Sequence, residues 1–314
     1  PRAEVLATDP APIVVQWHGF PGTMGARFVH YITTDRTCSP PEYAWHYYEF
    51  LMVVPSTYIA NDHRQSRLEV TGDPGALAQV TMEVPSLQKL GFSETDVIFC
   101  SFNQLYKITP MLFAVWMSIL KRVPNSKLWL LKFEASAVPR LKKEATKLGI
   151  DKSRIVIHDT FDQSIEFLVK SKAHLFLDTP IFNAHTTSTD VLWAGVPILT
   201  LAGDTFAQRV AASMLKQADL EFMIARTIEE YEEMAVALGS RPAKLAAIKA
   251  SIEAKRFDVK AFDTEGFVHE FERSLKISWE VWAANYGEQM HIITSSNPPR
   301  SNQDRQAPEE DWDE

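Results

Sequence analysis

The stretch from Ala173 to Val196 reads AHLFLDTPIFNAHTTSTDVLWAGV and decides the fold. Its first five residues are mostly apolar and predict a buried strand, whereas its last part predicts a short helix closed by Gly195 and stopped by Pro197. The polar residues between them predict a connecting loop. When an open α/β sheet contains such a strand, loop and helix, the loop is where it binds its ligand. We therefore expect an α/β fold with its binding site in this stretch.

Four polar residues at the start of the predicted helix indicate the kind of ligand. Thr186 and Thr187 lie where backbone N–H groups have no helical partner and the helix dipole is positive, which attracts phosphate. Asp190 shares a helix face with both threonines and can accept from sugar hydroxyls, and His185 stands beside them as a donor. The pattern predicts a phosphorylated, hydroxyl-rich ligand. From spacing alone, Thr186 could equally be a simple N-cap and Asp190 a solvated helix residue.

The sequence around this stretch alternates between apolar runs and amphipathic segments. Predicted strands cover residues 97–100, 127–133, 154–158, 173–177 and 197–201, and predicted helices cover 110–121, 138–148, 163–170, 206–216, 228–238, 242–255 and 264–286. This β–α alternation predicts a doubly wound parallel sheet. The last helix is expected to cross back to the first part of the chain, with Trp279, Trp282 and Tyr286 on its apolar face.

A second polar loop, Phe102 to Ile108 (FNQLYKI), follows the first of these strands. It should therefore also lie at the carboxyl end of the sheet. Within it, Lys107 is a mobile positive charge of the kind that stabilises a departing diphosphate. The alternative is an ordinary solvated lysine, which is the commoner situation.

The first part of the chain contains predicted strands at 13–17, 28–35 and 51–54 and a predicted helix at 43–48. The segment His18 to Gly25 (HGFPGTMG) joins the first two strands and contains three glycines and one proline. Such a turn lets the backbone approach a ligand closely, although a plain tight turn would look the same. His18 is interpreted as a hydrogen-bonded structural residue rather than a catalytic one.

Composition narrows the class of protein. Apolar residues make up 46% of the 314 residues and charged residues 23%, which is typical of a globular protein with a sizeable core. The formal charge of −8 argues against nonspecific binding to nucleic acid or membranes. Cys38 and Cys100 have no motif spacing, so neither a disulfide framework nor a zinc site is expected. No apolar run is long enough to span a membrane and no signal peptide is evident, which favours a cytoplasmic or nuclear protein.

Three motifs together resemble one known family. LDTPxxNxHTTxxDVLWAGVP at Leu177–Pro197, FNQLYKI at Phe102–Ile108 and WxGxPGTxG at Trp17–Gly25 are similar to the C-terminal catalytic region of the protein O-GlcNAc transferases. Members of that family carry a TPR array before a catalytic region of the GT-B fold. The resemblance covers roughly residues 1–66 and 96–290. It implies a GT-B glycosyltransferase with a complete C-terminal lobe and a partial N-terminal lobe.

The resemblance assigns roles to individual residues. Lys107 and His185 are implied to be catalytic, and the loop Gly19-Phe20-Pro21-Gly22-Thr23 to line the cleft for donor sugar and acceptor. The nucleotide and its diphosphate are implied to contact Gln104, Lys107, Thr160, Phe161, Gln163, His185, Thr186, Thr187 and Asp190. The base-binding loop departs from the family pattern, because Gln163 and Glu166 stand where a ribose-binding Lys and a uracil-stacking His are expected.

The implied reaction is transfer of N-acetylglucosamine from UDP-GlcNAc to Ser or Thr hydroxyls of intracellular proteins, with inversion and without a metal or other cofactor. The nucleotide-sugar donor and acceptor proteins are the expected partners. Two alternatives remain open. One is an O-fucosyltransferase of the SPINDLY type that uses GDP-fucose, and the other is a nucleotide-binding or protein-interaction module without transfer activity.

The chain divides into four predicted segments. Residues 1–66 are interpreted as a remnant of the N-terminal catalytic lobe, 67–95 as a linker between lobes, 96–290 as the nucleotide-sugar-binding lobe, and 291–314 as a disordered acidic tail. The chain begins with Pro1, which favours a fragment that lacks most of the first lobe and the TPR array. On that interpretation the isolated chain should bind nucleotide weakly and should not glycosylate proteins.

Overall fold

Two parallel β-sheets form the frame of the protein in the computed structural model, which describes residues 3–66, 74–284, 287 and 289–295. Within these residues, the first sheet has the strand order β1-β2-β3-β10 and the second the order β6-β5-β4-β7-β8-β9. The strands are β1 (Val15–Gln16), β2 (Tyr31–Asp35), β3 (Phe50–Val54), β4 (Val97–Ser101), β5 (Ser126–Leu131), β6 (Ile155–His158), β7 (Leu175–Leu177), β8 (Ile198–Leu201), β9 (Ile224–Ala225) and β10 (Ile292–Ile293).

Helices connect these strands and cover the sheets. The α-helices are α1 (His63–Ser66), α2 (Pro74–Glu83), α3 (Pro110–Arg122), α4 (Ala137–Lys147), α5 (Glu166–Lys170), α6 (Thr186–Trp193), α7 (Val210–Gln217), α8 (Ile228–Gly239), α9 (Pro242–Lys255) and α10 (Thr264–Ala284). Short 3₁₀ segments lie at Ala3–Thr8, Pro41–His46, Leu105–Lys107, Lys152–Arg154, Phe206–Gln208, Glu221–Met223 and Lys260–Phe262. Among the described residues, no helix is both long and apolar enough to cross a lipid bilayer.

The second sheet confirms the predicted doubly wound architecture. Its first strand along the chain, β4, lies in the middle between β5 and β7, and the following strands continue outward on each side. All the pairs in this sheet are parallel. The strand order therefore reverses between β4 and β7. At such a switch point the loops after the two strands diverge and leave a crevice for a ligand.

Most residues in the strands of this sheet are apolar because helices cover both of its faces. The β4 sequence VIFCS is buried at every position, as is the β7 sequence LFL. Trp116, Trp129 and Trp193 are each fully buried in the same core. Cys38 and Cys100 are both buried and free. The helices are thereby held firmly against the strands whose loops form the crevice.

Two predicted helices begin or divide differently in the structure. Helix α5 begins at Glu166 rather than Gln163, because the Asp162 carboxylate accepts hydrogen bonds from the backbone and hydroxyl of Ser164 and holds a turn there. The helix expected at 206–216 is divided into a 3₁₀ turn and α7, with Arg209 between them. The Arg209 guanidinium binds the backbone carbonyls of Thr37 and Gly203, which fixes that break.

The C-terminal helix α10 crosses back to the first sheet, as predicted, but with a different apolar face. Phe267 and Phe271 contact the Trp17 ring, with centroids 5.7 and 5.0 Å away. Trp279 is 53% exposed and packs beside Trp282 instead. Tyr286 lies outside the described residues. Aromatic residues occur on more than one side of this helix, so composition alone did not identify the buried side.

The prediction of a disordered tail from residue 291 is wrong for its first five residues. Ile292–Ile293 forms β10 and pairs with β3 in parallel register, Ile292 opposite Met52. Thr294 continues the attachment, because its backbone N–H donates to the Val53 carbonyl and its hydroxyl lies 3.3 Å from that of Ser274. Ile292 gains a buried position at the sheet edge, which the polar composition of the segment concealed. Residues 296–314 lie outside the described residues.

Buried polar contacts join the two lobes. Asp35, at the end of β2, accepts hydrogen bonds from the Tyr58 backbone at 3.0 Å and from the Ser213 hydroxyl at 2.7 Å. Ser213 lies on α7 of the second lobe, so the Asp35 carboxylate bridges the lobes. Arg209 reaches the Thr37 carbonyl at 2.6 Å from the same region. These contacts fix the end of β2 against α7 of the second lobe.

Candidate functional site

The loops that follow β4 and β7 meet at the switch point. Asn103, two residues after β4, donates from its side-chain amide to the Thr179 hydroxyl at 2.8 Å and to the Asp178 carboxylate at 3.2 Å. All three residues are buried. The two loops are adjacent because β4 pairs directly with β7. Asn103 therefore ties together the two polar loops that the sequence predicted to share one edge of the sheet.

Asp178 shapes the loop that leads to α6. Its carboxylate accepts hydrogen bonds from the Ala184 backbone at 2.7 Å and from the Thr200 hydroxyl at 2.6 Å. Burial raises the pKa of Asp178 to about 6, although these donors and the nearby Lys107 act in the opposite direction. A loop that folds back on a buried carboxylate has little freedom. Asp178 thus positions the residues that precede the helix rather than facing a ligand.

Lys107 is fixed against the same loop. Its ammonium donates to the Asn183 carbonyl at 2.8 Å and lies 4.3 Å from the centroid of the Phe182 ring. Burial lowers the pKa of Lys107 to about 8, and the neighbouring Asp178 carboxylate partly offsets that effect. The expectation of a mobile surface charge is therefore wrong. Lys107 presents a held, partly desolvated cation at the switch point, where its charge acts strongly on any bound anion.

His185 is the N-cap residue of α6, so the alternative of Thr186 as N-cap is also wrong. Its ring stacks on Phe182 with centroids 4.8 Å apart. Burial lowers the pKa of His185 to about 4, helped by the charge of Lys107, so the imidazole is neutral at pH 7. The neighbouring Ala207 backbone acts in the opposite direction on this pKa. The buried Nε2 has no hydrogen-bond partner in the described part of the chain, so it can hydrogen-bond a ligand.

Thr186 and Thr187 form the first turn of α6, directly after His185. Thr186 is exposed and Thr187 is half-buried, so both can reach a ligand. The N-cap side chain makes no hydrogen bond to the helix. The first N–H groups of α6 thus have no side-chain cap. Lys107 and His185 both contact Phe182 beside this end of the helix. This is the geometry of an anion site at a helix N-terminus.

Asp190 has contacts that the sequence did not reveal. Its carboxylate lies 3.1 Å from the His63 Nε2 and 3.6 Å from the Lys170 ammonium. Lys170 is only 3% exposed and also forms an ion pair with Glu166, one turn earlier on α5. The interpretation of Asp190 as a simply solvated residue is therefore wrong. A ligand hydroxyl at Asp190 would meet a carboxylate that already has the Lys170 ammonium and the His63 ring beside it.

The predicted base-binding loop lies beyond β6. Thr160 and Gln163 are both exposed, and Phe161 packs by its edge on Trp129 with centroids 6.1 Å apart. Glu166 is turned towards Lys170 by their ion pair. Gln104 begins the 3₁₀ turn that presents Lys107 and is half-buried. Gln104 therefore lies at the switch point beside Lys107, whereas the loop after β6 follows a strand two places from β4, and its contact with a nucleotide stays a prediction.

The loop after β1 faces this region from the other lobe. The Gln16 amide donates to the carbonyls of Phe20 and Gly22, and the buried Glu49 accepts from the Thr23 hydroxyl at 2.6 Å. The positions Gly19 to Thr23 therefore form an ordered turn that exposes Phe20.

His18 adopts a left-handed backbone conformation, with φ of 61°, at the start of that turn. Non-glycine residues seldom adopt it, and strain of this kind concentrates at functional sites. Burial lowers the pKa of His18, and its charge contributes to lowering that of His185. The loop after β1 and the N-terminus of α6 therefore lie within electrostatic reach of each other.

Comparison with known proteins identifies the family. The protein-family model described as "Glycosyl transferase family 41" matches residues 1–73 and 67–271 of this chain. The chain belongs to this family. It is 41% identical over 281 residues to an Arabidopsis thaliana protein named "Probable UDP-N-acetylglucosamine--peptide N-acetylglucosaminyltransferase SEC", an alignment that covers 89% of this chain. It is 29% identical to a Solanum lycopersicum protein named "Probable UDP-N-acetylglucosamine--peptide N-acetylglucosaminyltransferase SPINDLY", an alignment that covers 87% of this chain. The chain spans 28% of the length of each of these two relatives.

A solved structure agrees with the fold. The Thermobaculum terrenum O-GlcNAc transferase superposes with a TM-score of 0.75 at 25% sequence identity, over 90% of this chain and 51% of that one. The two parallel sheets and the crossing C-terminal helix of the family 41 chain are therefore those of a GT-B protein, as the sequence motifs implied.

Sequence reasoning missed several residues that organise the site of this family 41 chain. Asn103 and Asp178 each follow a buried strand, so their position at the sheet edge could have been read from the sequence. Lys170 and His63 carried no such signal, because only the packing of α5 and α1 against α6 brings them to Asp190. In the described part of the chain, no cluster of three or more His, Cys, Asp or Glu side chains is arranged to hold a metal ion.

Proposed function

We propose that this family 41 chain forms the donor-binding part of an inverting glycosyltransferase that moves N-acetylglucosamine from UDP-GlcNAc to Ser or Thr hydroxyls of cytoplasmic and nuclear proteins. The observation that carries the proposal is the convergence of Lys107, His185 and the N-terminus of α6 on the Phe182 ring at the switch point. The printed name of the Arabidopsis relative supports the choice of donor and of protein acceptors.

The site can stabilise the leaving group with its own charges. When the bond from sugar to diphosphate breaks, negative charge develops on the diphosphate. The N–H groups and dipole of α6, the hydroxyls of Thr186 and Thr187, and the Lys107 ammonium would all meet that charge. Because Lys107 is held by the Asn183 carbonyl, little reorganisation would be needed as the charge forms.

Asp190, oriented by His63 and Lys170, would accept from a ribose hydroxyl. The neutral His185 would hydrogen-bond a hydroxyl of the donor through Nε2, which has no partner among the described residues. Asp190 and His185 both lie on or beside the first turns of α6, so they would orient the sugar-bearing part of the donor while α6 holds its phosphates.

A second candidate is a fucosyltransferase of the SPINDLY type that uses GDP-fucose. It is favoured by the base-binding loop, where Gln163 is exposed and Glu166 is paired with Lys170, so neither resembles the residues expected for uridine. The lower identity to the SPINDLY relative, 29% against 41%, favours the first candidate. Calorimetry with UDP and with GDP separates them, because the donor's own diphosphate should bind more tightly.

Transfer itself can be tested in a chimaera in which this chain replaces the matching region of the Arabidopsis relative, with the unmodified relative assayed in parallel. Incorporation of radiolabelled N-acetylglucosamine into a protein acceptor is expected. Incorporation of radiolabelled fucose from GDP-fucose would support the second candidate. A folded chimaera that binds UDP but transfers neither sugar would instead support a binding module.

UDP affinity should fall as the pH rises from about 7 to about 9. Lys107 is charged below its pKa of about 8 and neutral above it. At higher pH, Lys107 must therefore be protonated before it can bind the diphosphate, which lowers the affinity. At pH 9 only about one-tenth of Lys107 is charged, which predicts about a tenfold loss of affinity. His185 does not contribute, since its pKa of about 4 keeps it neutral throughout. Calorimetry on Lys107→Met provides the control, and an equally steep pH profile in that variant would contradict the assignment.

UDP binding and sugar transfer are expected to be insensitive to chelation, because Lys107 and the N-terminus of α6 supply the positive charge. Affinity measured with excess EDTA should match that measured with added Mg²⁺ or Mn²⁺. A loss of binding in EDTA that either ion restores would show that a metal carries the diphosphate charge.

A further inference from the structure

An apolar groove runs along helix α9 on the second lobe. It consists of two adjoining cavities of about 380 and 120 Å³, which share Phe222 and Lys244 in their lining. Leu220, Ile248 and Phe262 form part of the floor, and Phe222 is 58% exposed between the cavities. An apolar cavity of about 150 Å³ already admits a benzene ring. The larger cavity of this α9 groove therefore has room for one large aromatic side chain.

The rim of the α9 groove is basic. Arg241, Lys244 and Lys255 are exposed at its edges, and Asp219 is the one acidic residue among the described residues that line it. None of the three basic side chains forms an ion pair with another described residue. An occupant that matches this surface would combine an aromatic anchor with several carboxylates.

The chain itself contains a segment of this chemistry. Residues 307–314, which lie outside the described part of the structure, read Ala-Pro-Glu-Glu-Asp-Trp-Asp-Glu. Five carboxylates thus surround the single aromatic residue Trp312. Against a rim of three unpaired cations, this sequence is complementary in both charge and apolar character.

The attachment point of this segment lies within reach of the α9 groove. Thr294 lies against Ser274 on α10, and Phe262, twelve residues before Ser274, lines the groove. Helix α10 begins at Thr264, two residues after Phe262, and its rise places Thr264 and Ser274 about 15 Å apart. Ser295 to Trp312 are eighteen residues, and an unstructured chain of that length would have an end-to-end distance of about 23 Å. The span and the length of chain match, which gives a high effective concentration of the segment at the groove.

We infer that residues 307–314 bind intramolecularly in the α9 groove, with Trp312 in the larger cavity and the flanking carboxylates on Arg241, Lys244 and Lys255. Leu192, at the C-terminal end of α6, lines the same cavity, so the bound segment would contact the helix whose N-terminus forms the anion site.

The full 314-residue chain with a photoreactive benzoylphenylalanine in place of Trp312 tests this inference. Irradiation followed by mass spectrometry is expected to yield cross-links to the residues around Phe222 and Ile248. Lys244→Glu combined with Lys255→Glu should lower their yield by about fivefold, because attraction at the rim becomes repulsion. Lys152→Glu, which changes an exposed lysine of another surface, should leave the yield unchanged. Circular dichroism and the melting temperature check that each variant folds.

Three results would overturn the inference. The first is cross-linking to a different surface or none at all in the folded chain. The second is cross-linking between chains, detected as mixed products when ¹⁵N-labelled and unlabelled protein are irradiated together, which would make a second copy the occupant. The third is a yield that is indifferent both to the paired charge reversal and to high salt.

Discussion

Replacing Thr186 and Thr187 together with alanine should weaken UDP binding by up to about 3–6 kcal/mol, because two hydrogen bonds to a charged phosphate are lost. The two hydroxyls lie in the first turn of α6, where no side chain caps the helix, so no neighbour is positioned to replace them. Thr186 is exposed and Thr187 half-buried, and the fold should therefore survive the change. Calorimetry with UDP measures the effect.

Thr146→Ala is a suitable control for that experiment. Thr146 is also on a helix surface, and its hydroxyl bonds only the Lys142 carbonyl of its own helix. That variant should bind UDP as the parent chain does. If the double variant is folded, with an unchanged circular dichroism spectrum, and still binds UDP with the parental affinity, the N-terminus of α6 is not the phosphate site.

Asp178→Ala should lower the free energy of unfolding by about 3–5 kcal/mol, because the buried donors Ala184 N–H and Thr200 O–H lose their acceptor. Asn103 would keep its contact to Thr179. Asp258→Ala, at an exposed position, is the control and should cost little. Urea unfolding monitored by tryptophan fluorescence measures both. A loss below about 1 kcal/mol in the Asp178 variant would mean that the loop before α6 does not depend on this carboxylate.

Asp178 should also make the free energy of unfolding depend on pH in one direction. The folded carboxyl titrates at about 6 instead of 3.8, so the native chain holds its proton more tightly than the unfolded chain. The contribution of Asp178 to stability therefore falls as the pH rises from about 4 to about 6. Asp178→Asn cannot titrate, so its unfolding free energy should lack this component. Identical pH profiles for the parent and the Asn variant would contradict the raised pKa.

The sequence by itself determined the second sheet and the edge at which its two polar loops meet. Apolar runs such as VIFCS and LFL, separated by amphipathic segments and glycine or proline breaks, are local patterns that favour the same elements in any context. The polar loops after β4 and β7 were therefore placed correctly at one sheet edge, and Lys107 and His185 with them. The motif that opens α6 needed no tertiary information to be found.

Tertiary structure decided the pKa values and partners of the charged residues at that edge, and it decided which segment covers the edge of the first sheet. Burial lowers the pKa of Lys107 to about 8 and that of His185 to about 4, and this burial depends on how the loops after β4 and β7 pack together. Asp190 meets Lys170 and His63 only because α5 and α1 pack beside α6. Ile292 pairs with Met52, some 240 residues away in sequence, because β3 offers an open edge there. Contacts between distant segments depend on how whole elements pack, and that information lies in the assembled core rather than in any stretch of sequence.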